Sequence, residues 1–493
     1  MSAHYEISES DLKSILDVVV AFSREKDYFE LLNIILDEMM RMSNADAGTL
    51  YIADEGRLHF RILRNNSLNT YQGARDKIDL PPIVLDESNI KTVSAYAALK
   101  EEIVIVDDVY SDKIFNFDGP KNYDRITGYK TRSMLVFPLS TSSHEVVGVI
   151  QLINAMDKNT NQPTSFNNTC DITLLTALAS ISANALDNIF LAKEIDELFQ
   201  SFVSVMTKAI DERSVYNVNH TKNVARFCGL FADFLAENFQ EGHEFHFSKN
   251  RREQLVMAAF LHDIGKIITP LHIMDKIDRL GERLEIVRLK FEIKRQQALN
   301  KHLKNRTSPE DELSELRKNL EFIESTNSAG FLADEQIEEI KALGRIRYYD
   351  SDENEIPLLT ADEMDALLIK KGTLTAKERE IMQEHVSITG RLLDNMKFNR
   401  HYSNVAAWAK GHHEYLDGSG YPQGLKGGEV TTEMCILAII DIFDALTAMD
   451  RPYKKGMPVE KAQNILLSMA EEGKLQPELV GLFIKSGVWE ALS

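Results

Sequence analysis

Side chains that can bind metal ions recur along this sequence from residue 220 onward. Two adjacent pairs, His262-Asp263 and His412-His413, are joined by three single residues of the same types. The whole set is His220, His262, Asp263, His385, His412, His413 and Asp441. Imidazole and carboxylate together suit iron, manganese, zinc or nickel, and one carboxylate can bridge two ions about 3.5–4 Å apart. The set therefore predicts a catalytic centre of two metals rather than a structural metal site.

A lysine stands close to the His-Asp pair. The sequence LHDIGK places Lys266 four residues after His262. One helical turn or a tight bend can aim its ammonium at the same pocket. There it could hold a phosphate oxygen or donate a proton, and Gly265 would let the backbone turn close to the metals.

The two adjacent histidines open a glycine-rich segment, HHEYLDGSGYP, at 412–422. Neighbouring histidines point to different sides, so they could serve two ions. Gly418 and Gly420, followed by the rigid Pro422, predict a loop whose backbone can approach a ligand.

Two further candidates depend on their surroundings. Thr375 followed by Glu378 is a capping-box pattern, which predicts that a helix starts there and carries His385. Alone, His385 would more often be an ordinary helical histidine, but the other ligands favour a role in the site. Asp441 lies in the apolar stretch LAIIDIFDAL, where a buried carboxylate needs a metal or a cation. Asp444, one turn later, is predicted to orient a ligand.

The elements before this region predict an α+β domain over residues 1–185. Helical spacing covers 11–43, and β-type runs follow it at 48–52, 58–63, 102–106, 134–138 and 146–154. Helix, strands, a long irregular middle, more strands and a closing helix are typical of an antiparallel sheet packed with helices.

A long connecting helix is predicted over 174–210. Apolar or small residues step by fours and threes without a break through Leu174, Leu178, Ile181, Ala185, Asn188, Ala192, Ile195, Phe199, Phe202 and Met206. This is the seam of a two-stranded coiled coil, so we expect a parallel homodimer through 174–206, with Asn188 fixing its register. The alternative is a single amphipathic helix packed on its own domain.

Residues 201–493 are predicted to form an all-α domain. Its segment 278–370 is highly charged and breaks at 306–309 and 325–330, which indicates two or three helices in a hairpin insertion. Two interpretations stay open: a solvated insertion, or an arm that docks a protein partner or contacts a second copy.

Composition narrows the class of protein. A net charge of −20 argues against binding a nucleic-acid polymer, because duplex affinity needs clustered Lys and Arg. Three scattered cysteines do not make a disulfide framework. No uninterrupted apolar run reaches the roughly 18 residues of a membrane span. We expect a soluble, cytoplasmic protein.

Residues 201–493 resemble the HD-GYP family of cyclic dinucleotide phosphodiesterases. The resemblance rests on four motifs in the family's order: LHDIGK, KKGTLTAKEREIMQEH, HHEYLDGSGYP and DIFDALTAMDRPYKK. It implies hydrolysis of cyclic di-GMP to linear pGpG and in some members onward to GMP, at a centre of two, sometimes three, iron or manganese ions. Hydrolysis of another cyclic dinucleotide, cyclic GMP-AMP, and a non-catalytic dinucleotide receptor are the alternatives.

The resemblance also implies roles for individual residues. All seven metal-binding candidates become ligands, with Asp263 as the bridge and, together with Lys266, a catalytic residue. The substrate contacts are Lys266, Gly420, Tyr421, Pro422, Arg451 and Lys454. Members with three metals carry a glutamate one turn before the first histidine, whereas Tyr216 stands there and Glu212 lies two turns away. Two metal ions are therefore predicted rather than three.

Residues 28–185 resemble, less specifically, a GAF domain, a small sensory fold. The run VVGVIQLINAMD and the later Phe166 and Asp171 carry this resemblance. The signature of members that bind cyclic nucleotides begins Asn-Lys, but Asn154 is followed here by Ala155. No ligand is assigned: the domain binds another small molecule, or it serves dimerisation alone. We hypothesise that its signal travels as a rotation or register change of the 174–210 helix.

Overall fold

The computed structural model of the chain describes residues 20, 27–73, 75–76, 78–213, 219–448 and 456–492. It divides into two compact units, Met1–Phe199 and Gln200–Ser493. Most of the first half of the helix predicted over 11–43 lies outside the described residues. The rest is confirmed as helix α1, Tyr28–Ser43, whose N-cap Asp27 accepts hydrogen bonds from two amides of the first turn.

The first unit is built on one antiparallel sheet. Its strands are β1 Ala45–Asp54, β2 Arg57–Asn65, β3 Thr70–Gly73, β4 Ile83–Val84, β5 Val104–Val106, β6 Met134–Ser140, β7 Val146–Met156 and β8 Pro163–Thr164. The spatial order is β3-β2-β1-β7-β6-β5, with β4 on β2 and β8 on β7. The five predicted strands are confirmed. The middle of the domain is less irregular than predicted, since it contains helices α2 Val93–Lys100 and α3 Asp118–Thr127.

Apolar side chains pack against both faces of this sheet. One face is covered by α1 and by the start of the long helix α4, Ile172–Asp211, which buries Leu175, Leu178 and Leu186 completely or nearly so. The other face packs under α2, with Val93, Phe117 and Val136 in the core. The predicted α+β fold class is therefore confirmed for this unit.

Helix α4 changes its surroundings along its length. By length and average composition Ile172–Ile210 could cross a membrane, which a search for uninterrupted apolar runs does not detect. The complete burial of Leu178 and Leu186 in the core of the first unit accounts for part of this apolar content. A long apolar helix of this kind is weak evidence for a membrane span, because core helices have the same composition.

The second half of α4 carries an exposed apolar stripe. Its members are Leu191, Ile195, Leu198, Phe202 and Val205, which follow one another by fours and threes and are 47–72% exposed. The predicted seam is wrong at its start, where Leu178 is a core residue. In the second half of the helix the exposed positions also differ from the predicted ones by one residue. Leu198 and Val205 are exposed, whereas the predicted seam residues Phe199 and Met206 are half-buried.

The second unit is mainly helical. Outside the charged insertion its helices are α5 His220–Asn238, α6 Lys249–Leu261, the short α7 Leu271–Met274, α12 Ala376–Asp394, α13 Val405–Lys410, α14 Thr432–Thr447, α15 Val459–Glu471 and α16 Pro477–Ser486. The predicted capping box that opens α12 is confirmed, because Thr375 and Glu378 exchange side-chain to main-chain hydrogen bonds. This cap fixes where the helix that carries His385 begins.

The insertion has a core of its own. It consists of helices α8 Arg283–Asn305, α9 Glu310–Ser328, α10 Asp334–Leu343 and α11 Ala361–Leu367, with a hairpin of β9 Arg347–Tyr349 and β10 Glu355–Pro357 before α11. Fourteen buried residues, among them Phe291, Ile323 and Leu358, form its core. The prediction of a charged helical hairpin is therefore incomplete: the hairpin α8–α9 is one part of a small packed subdomain, and a β-hairpin interrupts the helices.

One buried cation ties the two ends of the insertion together. The Arg279 side chain is fully buried, and its guanidinium donates to the carbonyls of Ile369 at 2.8 Å and Thr326 at 2.7 Å. Since Ile369 lies at the opposite end of the insertion, Arg279 joins its entry and exit segments. A buried charge is tolerated only with such partners.

We predict that Arg279→Met loosens the insertion. The loss leaves buried carbonyls unpaired and should lower the free energy of local opening by about 3 kcal/mol, or ~100-fold in the rate of limited proteolysis within 278–370. Arg295→Met is the matched control. Arg295 lies on α8, its side chain is 45% exposed, and among the described residues its one ion pair is with Glu292. Equal proteolysis of both variants would contradict the anchoring role.

Candidate metal centre

Five segments of the second unit bring the predicted metal ligands together. His220 starts α5, the His262-Asp263 pair follows the end of α6, and His385 lies within α12. The His412-His413 pair follows α13, and Asp441 lies in the middle of α14. Six of the seven residues are less than a tenth exposed, and the side chain of His413 is 18% exposed. Helix packing thus brings together residues that are far apart in the sequence.

Three of the histidines are held in the same way. The Nδ1 atoms of His262, His385 and His412 lie 2.6, 2.5 and 2.6 Å from the main-chain carbonyl oxygen three residues earlier. A carbonyl only accepts, so Nδ1 carries the proton and the lone pair is on Nε2. These three Nε2 atoms are buried and have no hydrogen-bond partner among the described residues. Buried lone pairs of this kind fit metal ions.

The Asp263 carboxylate lies between two groups of imidazoles. Its Oδ2 is 3.2 Å from Nε2 of His262 and 3.5 Å from Nε2 of His220. Its Oδ1 is 3.3 Å from Nε2 of His385 and 3.9 Å from Nε2 of His412. Each oxygen therefore faces a different pair of nitrogens, which is the arrangement a bridging carboxylate requires.

The donor atoms form three overlapping sets, in each of which all atoms lie within 4.8 Å of one another. The sets are His385, His412 and His413; His220, His262 and Asp441; and His262, Asp263 and His412. Nitrogen and carboxylate oxygen in this proportion suit divalent first-row metals. The residues present therefore fit a centre with more than one metal ion.

Burial and charge set the protonation of this cluster. Burial lowers the pKa of His412 well below its usual range and that of His413 to about 4, so both are neutral and able to ligate near pH 7. Burial acts to raise the pKa of Asp441, but the hydrogen bond and the charge of His220 outweigh burial. The pKa of Asp441 is therefore lowered, and the carboxylate is ionised. Neutral His412 and His413 beside an ionised Asp441 are in the protonation states that metal binding needs. Burial acts to lower the pKa of His220, but its contacts with Asp263, Asp441 and Asp444 raise that pKa well above its usual range, so a metal ion at His220 would have to displace a proton.

Two further side chains contact the cluster. The Oδ2 atom of Asp444 lies 2.7 Å from Nδ1 of His220, so that the His220 Nε2 points toward Asp441 at 3.1 Å. This is the orienting contact predicted for Asp444. The ammonium of Lys266 donates to Oδ2 of Asp263 at 2.5 Å.

Two glycines in this region are required for close backbone packing. A Cβ at Gly265 would lie 2.0 Å from the carbonyl oxygen of His385, so this glycine lets the turn after Asp263 lie against α12. A Cβ at Gly420 would lie 2.5 Å from the carbonyl oxygen of His413. The chain's own backbone thus fills the space beside both glycines, and the expectation that they serve metal or ligand approach stays a prediction.

The 412–422 loop brings an aromatic ring to the site. The peptide bond between Tyr421 and Pro422 is cis, and the Tyr421 ring packs on His413 with 4.8 Å between ring centroids. Sequence reasoning gave no role to Glu414, although it follows the two histidines directly. Its carboxylate is buried and accepts hydrogen bonds from the amides of Gln423 at 2.7 Å and Leu425 at 2.9 Å. Glu414 therefore holds this loop closed.

Thr389 was also missed. It lies one turn after His385, and its hydroxyl accepts from the amide of Gly265 and donates to the carbonyl of His262, both at 3.0 Å. Arg451, Lys454 and Tyr216 lie outside the described residues. Glu212 is described; it is exposed and pairs with Lys208, so it does not join the cluster.

We predict that Glu414→Ala opens the 415–425 loop. Two hydrogen bonds to a buried carboxylate are lost, which should lower the free energy of local opening by about 2–3 kcal/mol in native-state hydrogen exchange. The control is Glu429→Ala: the exposed Glu429 carboxylate accepts a hydrogen bond from the Lys426 amide, and its removal should change exchange little. Loop amides that exchange equally in both variants would show that Glu414 does not hold the loop.

Family models match three segments of the chain. A GAF domain model covers residues 27–186, and two HD domain models cover residues 217–367 and 360–479. The chain is therefore a protein with a GAF domain followed by a metal-dependent HD domain.

Several proteins that are similar to this HD domain are named cyclic dinucleotide phosphodiesterases. A cyclic di-GMP phosphodiesterase of Thermotoga maritima is 42% identical over 123 residues, 24% of this chain and 32% of that protein. The cyclic di-GMP phosphodiesterase response regulator RpfG of Xanthomonas campestris is 40% identical over 111 residues, 22% of this chain and 28% of RpfG. The 3'3'-cGAMP-specific phosphodiesterase 3 of Vibrio cholerae is 39% identical over 102 residues, 21% of each chain. The resemblance to the HD-GYP phosphodiesterases is confirmed by these relatives, of which the chain spans a third or less.

Among solved structures, the GAF domain of an Acinetobacter phosphoenolpyruvate-protein phosphotransferase matches with a TM-score of 0.28 and 15% identity, over 38% of this chain and 99% of that one.

Proposed function

We propose that this protein is a metal-dependent phosphodiesterase that hydrolyses cyclic di-GMP to linear pGpG. The observation that carries the proposal is the Asp263 carboxylate, whose two oxygens face separate pairs of imidazole nitrogens. A structural site needs one closed shell of four ligands, whereas this cluster offers overlapping sets around a shared carboxylate.

The ligand set proposed is His220, His262, Asp263, His385, His412, His413 and Asp441, and it would hold two iron or manganese ions. When bound, the ions neutralise the phosphate oxygens and make water acidic enough to act as a nucleophile near neutral pH. Glu212, the candidate for a third-metal ligand that the structure describes, is exposed and paired with Lys208, which favours two ions over three.

The surrounding residues would hold and orient the substrate. Lys266 lies beside Asp263, where its ammonium can stabilise charge on the phosphate or protonate the leaving 3′ oxygen. The Tyr421 ring packs on His413 and would offer an apolar face to a nucleobase, with Gly420 and Pro422 setting its position. Arg451 and Lys454 stay proposed phosphate contacts on the family motif alone.

Two alternatives differ in what happens to the dinucleotide. The relatives include enzymes named for cyclic di-GMP and others named for 3'3'-cGAMP, so hydrolysis of cyclic GMP-AMP is the second candidate. A receptor without activity would bind the same ligand and release it unchanged. The buried, unpaired Nε2 atoms favour an enzyme, because a receptor needs no such donors.

We predict that Asp263→Asn lowers turnover of cyclic di-GMP by roughly 1,000-fold or more, since the neutral amide cannot bridge two cations. The measurement is product chromatography with anaerobically purified protein whose metal content is quantified. Asp233→Asn, a half-exposed aspartate of α5 that pairs with Arg252, is the control and should keep full activity. Faster cleavage of cyclic GMP-AMP by the unaltered protein would favour the second candidate, and intact dinucleotide in every sample would favour the receptor.

We further propose that the protein is a parallel homodimer through the exposed stripe of α4. Five large apolar residues at heptad spacing, from Leu191 to Val205, are the knobs of a two-stranded coiled coil. Asn188, three residues before Leu191 and exposed on the same helix, would set the register. The stripe follows the part of α4 that is buried in the first unit, so dimerisation does not compete with that core.

We predict that Leu198→Glu weakens self-association by roughly 100-fold, because each dimer then buries two carboxylates in its seam. Sedimentation velocity over a concentration series measures the dissociation constant. Leu303→Glu, a substitution of a 75% exposed leucine on α8, should leave association unchanged. A monomeric unaltered protein at micromolar concentration would contradict the dimer.

The first unit contains a cavity of about 780 Å³ that a small molecule could fill. At its wall the Gln151 amide oxygen accepts from the hydroxyls of Tyr51 and Ser94, which turns the amide nitrogen toward the sulfur of Met134. The charged lining residues among those described are Arg64, which pairs with Asp37, and Asp118. We propose that an occupant of this cavity is uncharged and mainly apolar; a thermal-shift screen with such compounds tests this against the alternative, a domain that dimerises and binds nothing.

Two finer proposals concern location and partners. Cys170, Cys228 and Cys435 are free thiols, which favours the reducing cytoplasm and can be tested by cell fractionation. The insertion exposes Ile286, Leu289 and Ile293 at helical spacing on α8, which supports the interpretation of a docking arm over that of a solvated insertion. Crosslinking from this face in cells tests that interpretation.

A further inference from the structure

We infer that Arg213 is a positioning residue that links the end of helix α4 to the turn carrying Asp263 and Lys266. The inference rests on the proposed function, because that turn matters only if Asp263 and Lys266 act on a substrate. Arg213 matches none of the motifs on which the family resemblance rests.

The Arg213 guanidinium contacts this turn directly. Its Nη1 donates to the carbonyl oxygen of Lys266 at 2.8 Å and also to that of Ile267. A cationic donor on two consecutive carbonyls is stronger than a neutral hydrogen bond and fixes the orientation of both peptide groups. The first of these peptide groups belongs to the residue whose ammonium contacts Asp263.

The turn is held from its other side by α12. The Thr389 hydroxyl bonds the amide of Gly265 and the carbonyl of His262, and Gly265 lies against the backbone of His385. Helix α12 carries a metal ligand and is capped and packed in place, so it is the fixed wall of the turn. Arg213 is then the contact through which another element can move the turn.

That element is α4. The amide of Arg213 donates to the carbonyl of Ile210 at 3.1 Å, so Arg213 continues the last turn of the helix. Val203, Thr207 and Ile210 are 2–5% exposed and form one face of the helix, buried within the second unit. The exposed stripe around Leu198 lies about 120° from this face at 100° per residue. A rotation of α4 imposed at the stripe would therefore displace the Arg213 guanidinium and, with it, the peptide groups of Lys266 and Ile267.

The experiment compares Arg213→Ala with the unaltered protein by hydrogen exchange of peptides covering 262–270. Amides of Lys266, Ile268 and Thr269 are bonded within the turn, and their exchange should become about tenfold faster when the two guanidinium contacts are lost. Arg213→Lys keeps a cationic donor and should restore part of the protection. Arg226→Ala is the matched control, because Arg226 also donates to a backbone carbonyl, that of Ala491, away from this turn.

Hydrolysis kinetics on the same proteins separate positioning from general stability. With metal content equal, Arg213→Ala should lower kcat about tenfold and leave KM nearly unchanged, since Lys266 acts on charge in the transition state. Insertion of one residue after Lys193 should change both the exchange rates and kcat when Arg213 is present. The same insertion combined with Arg213→Ala should change neither.

Unchanged exchange at 264–269 in a folded Arg213→Ala protein would overturn the inference. So would an insertion effect of equal size in both backgrounds. If the unaltered protein hydrolyses no cyclic dinucleotide, the proposed function fails, but the exchange result still shows whether Arg213 holds the turn.

Discussion

The structure of the second unit depends on how the negative charge of one buried carboxylate is compensated. Asp263 is 3% exposed, and a carboxylate at that depth is costly unless cations or donors surround it. Lys266 supplies one charge, while four imidazole nitrogens lie 3.2–3.9 Å from its two oxygens. Three of those nitrogens carry a lone pair that accepts no hydrogen bond among the described residues. Divalent cations at this place would satisfy the nitrogens and the carboxylate together.

Helix α4 passes through three different environments along its length. Its first turns complete the core of the GAF domain, its middle exposes an apolar stripe, and its last turns are buried in the unit that carries the metal centre. A helix is stiff over this length, so a rotation imposed at one place is carried to its end without loss of the hydrogen-bond pattern. One continuous helix thus runs from the GAF domain into the unit that carries the candidate metal centre.

Local sequence signals predicted what local forces decide. The strands around Leu50 and Ile150 follow from β-branched and apolar runs, and the start of α12 follows from Thr375 and Glu378. The seam of α4 was misplaced because heptad spacing alone does not show which column faces a neighbouring core. The β-hairpin at 347–357 was missed because strands of three residues have too little periodicity to stand out in a charged segment.

By itself the sequence determined which residue types are available for chemistry and the order of the domains, because imidazole and carboxylate donors and helical or β periodicity are written residue by residue. Only the tertiary structure decided that the two oxygens of Asp263 face different histidines, that Glu414 and Thr389 support the site, and that Arg213 reaches the Lys266 turn. These contacts join residues that are distant in sequence or aim side chains in a particular direction. Packing, not spacing, sets such directions.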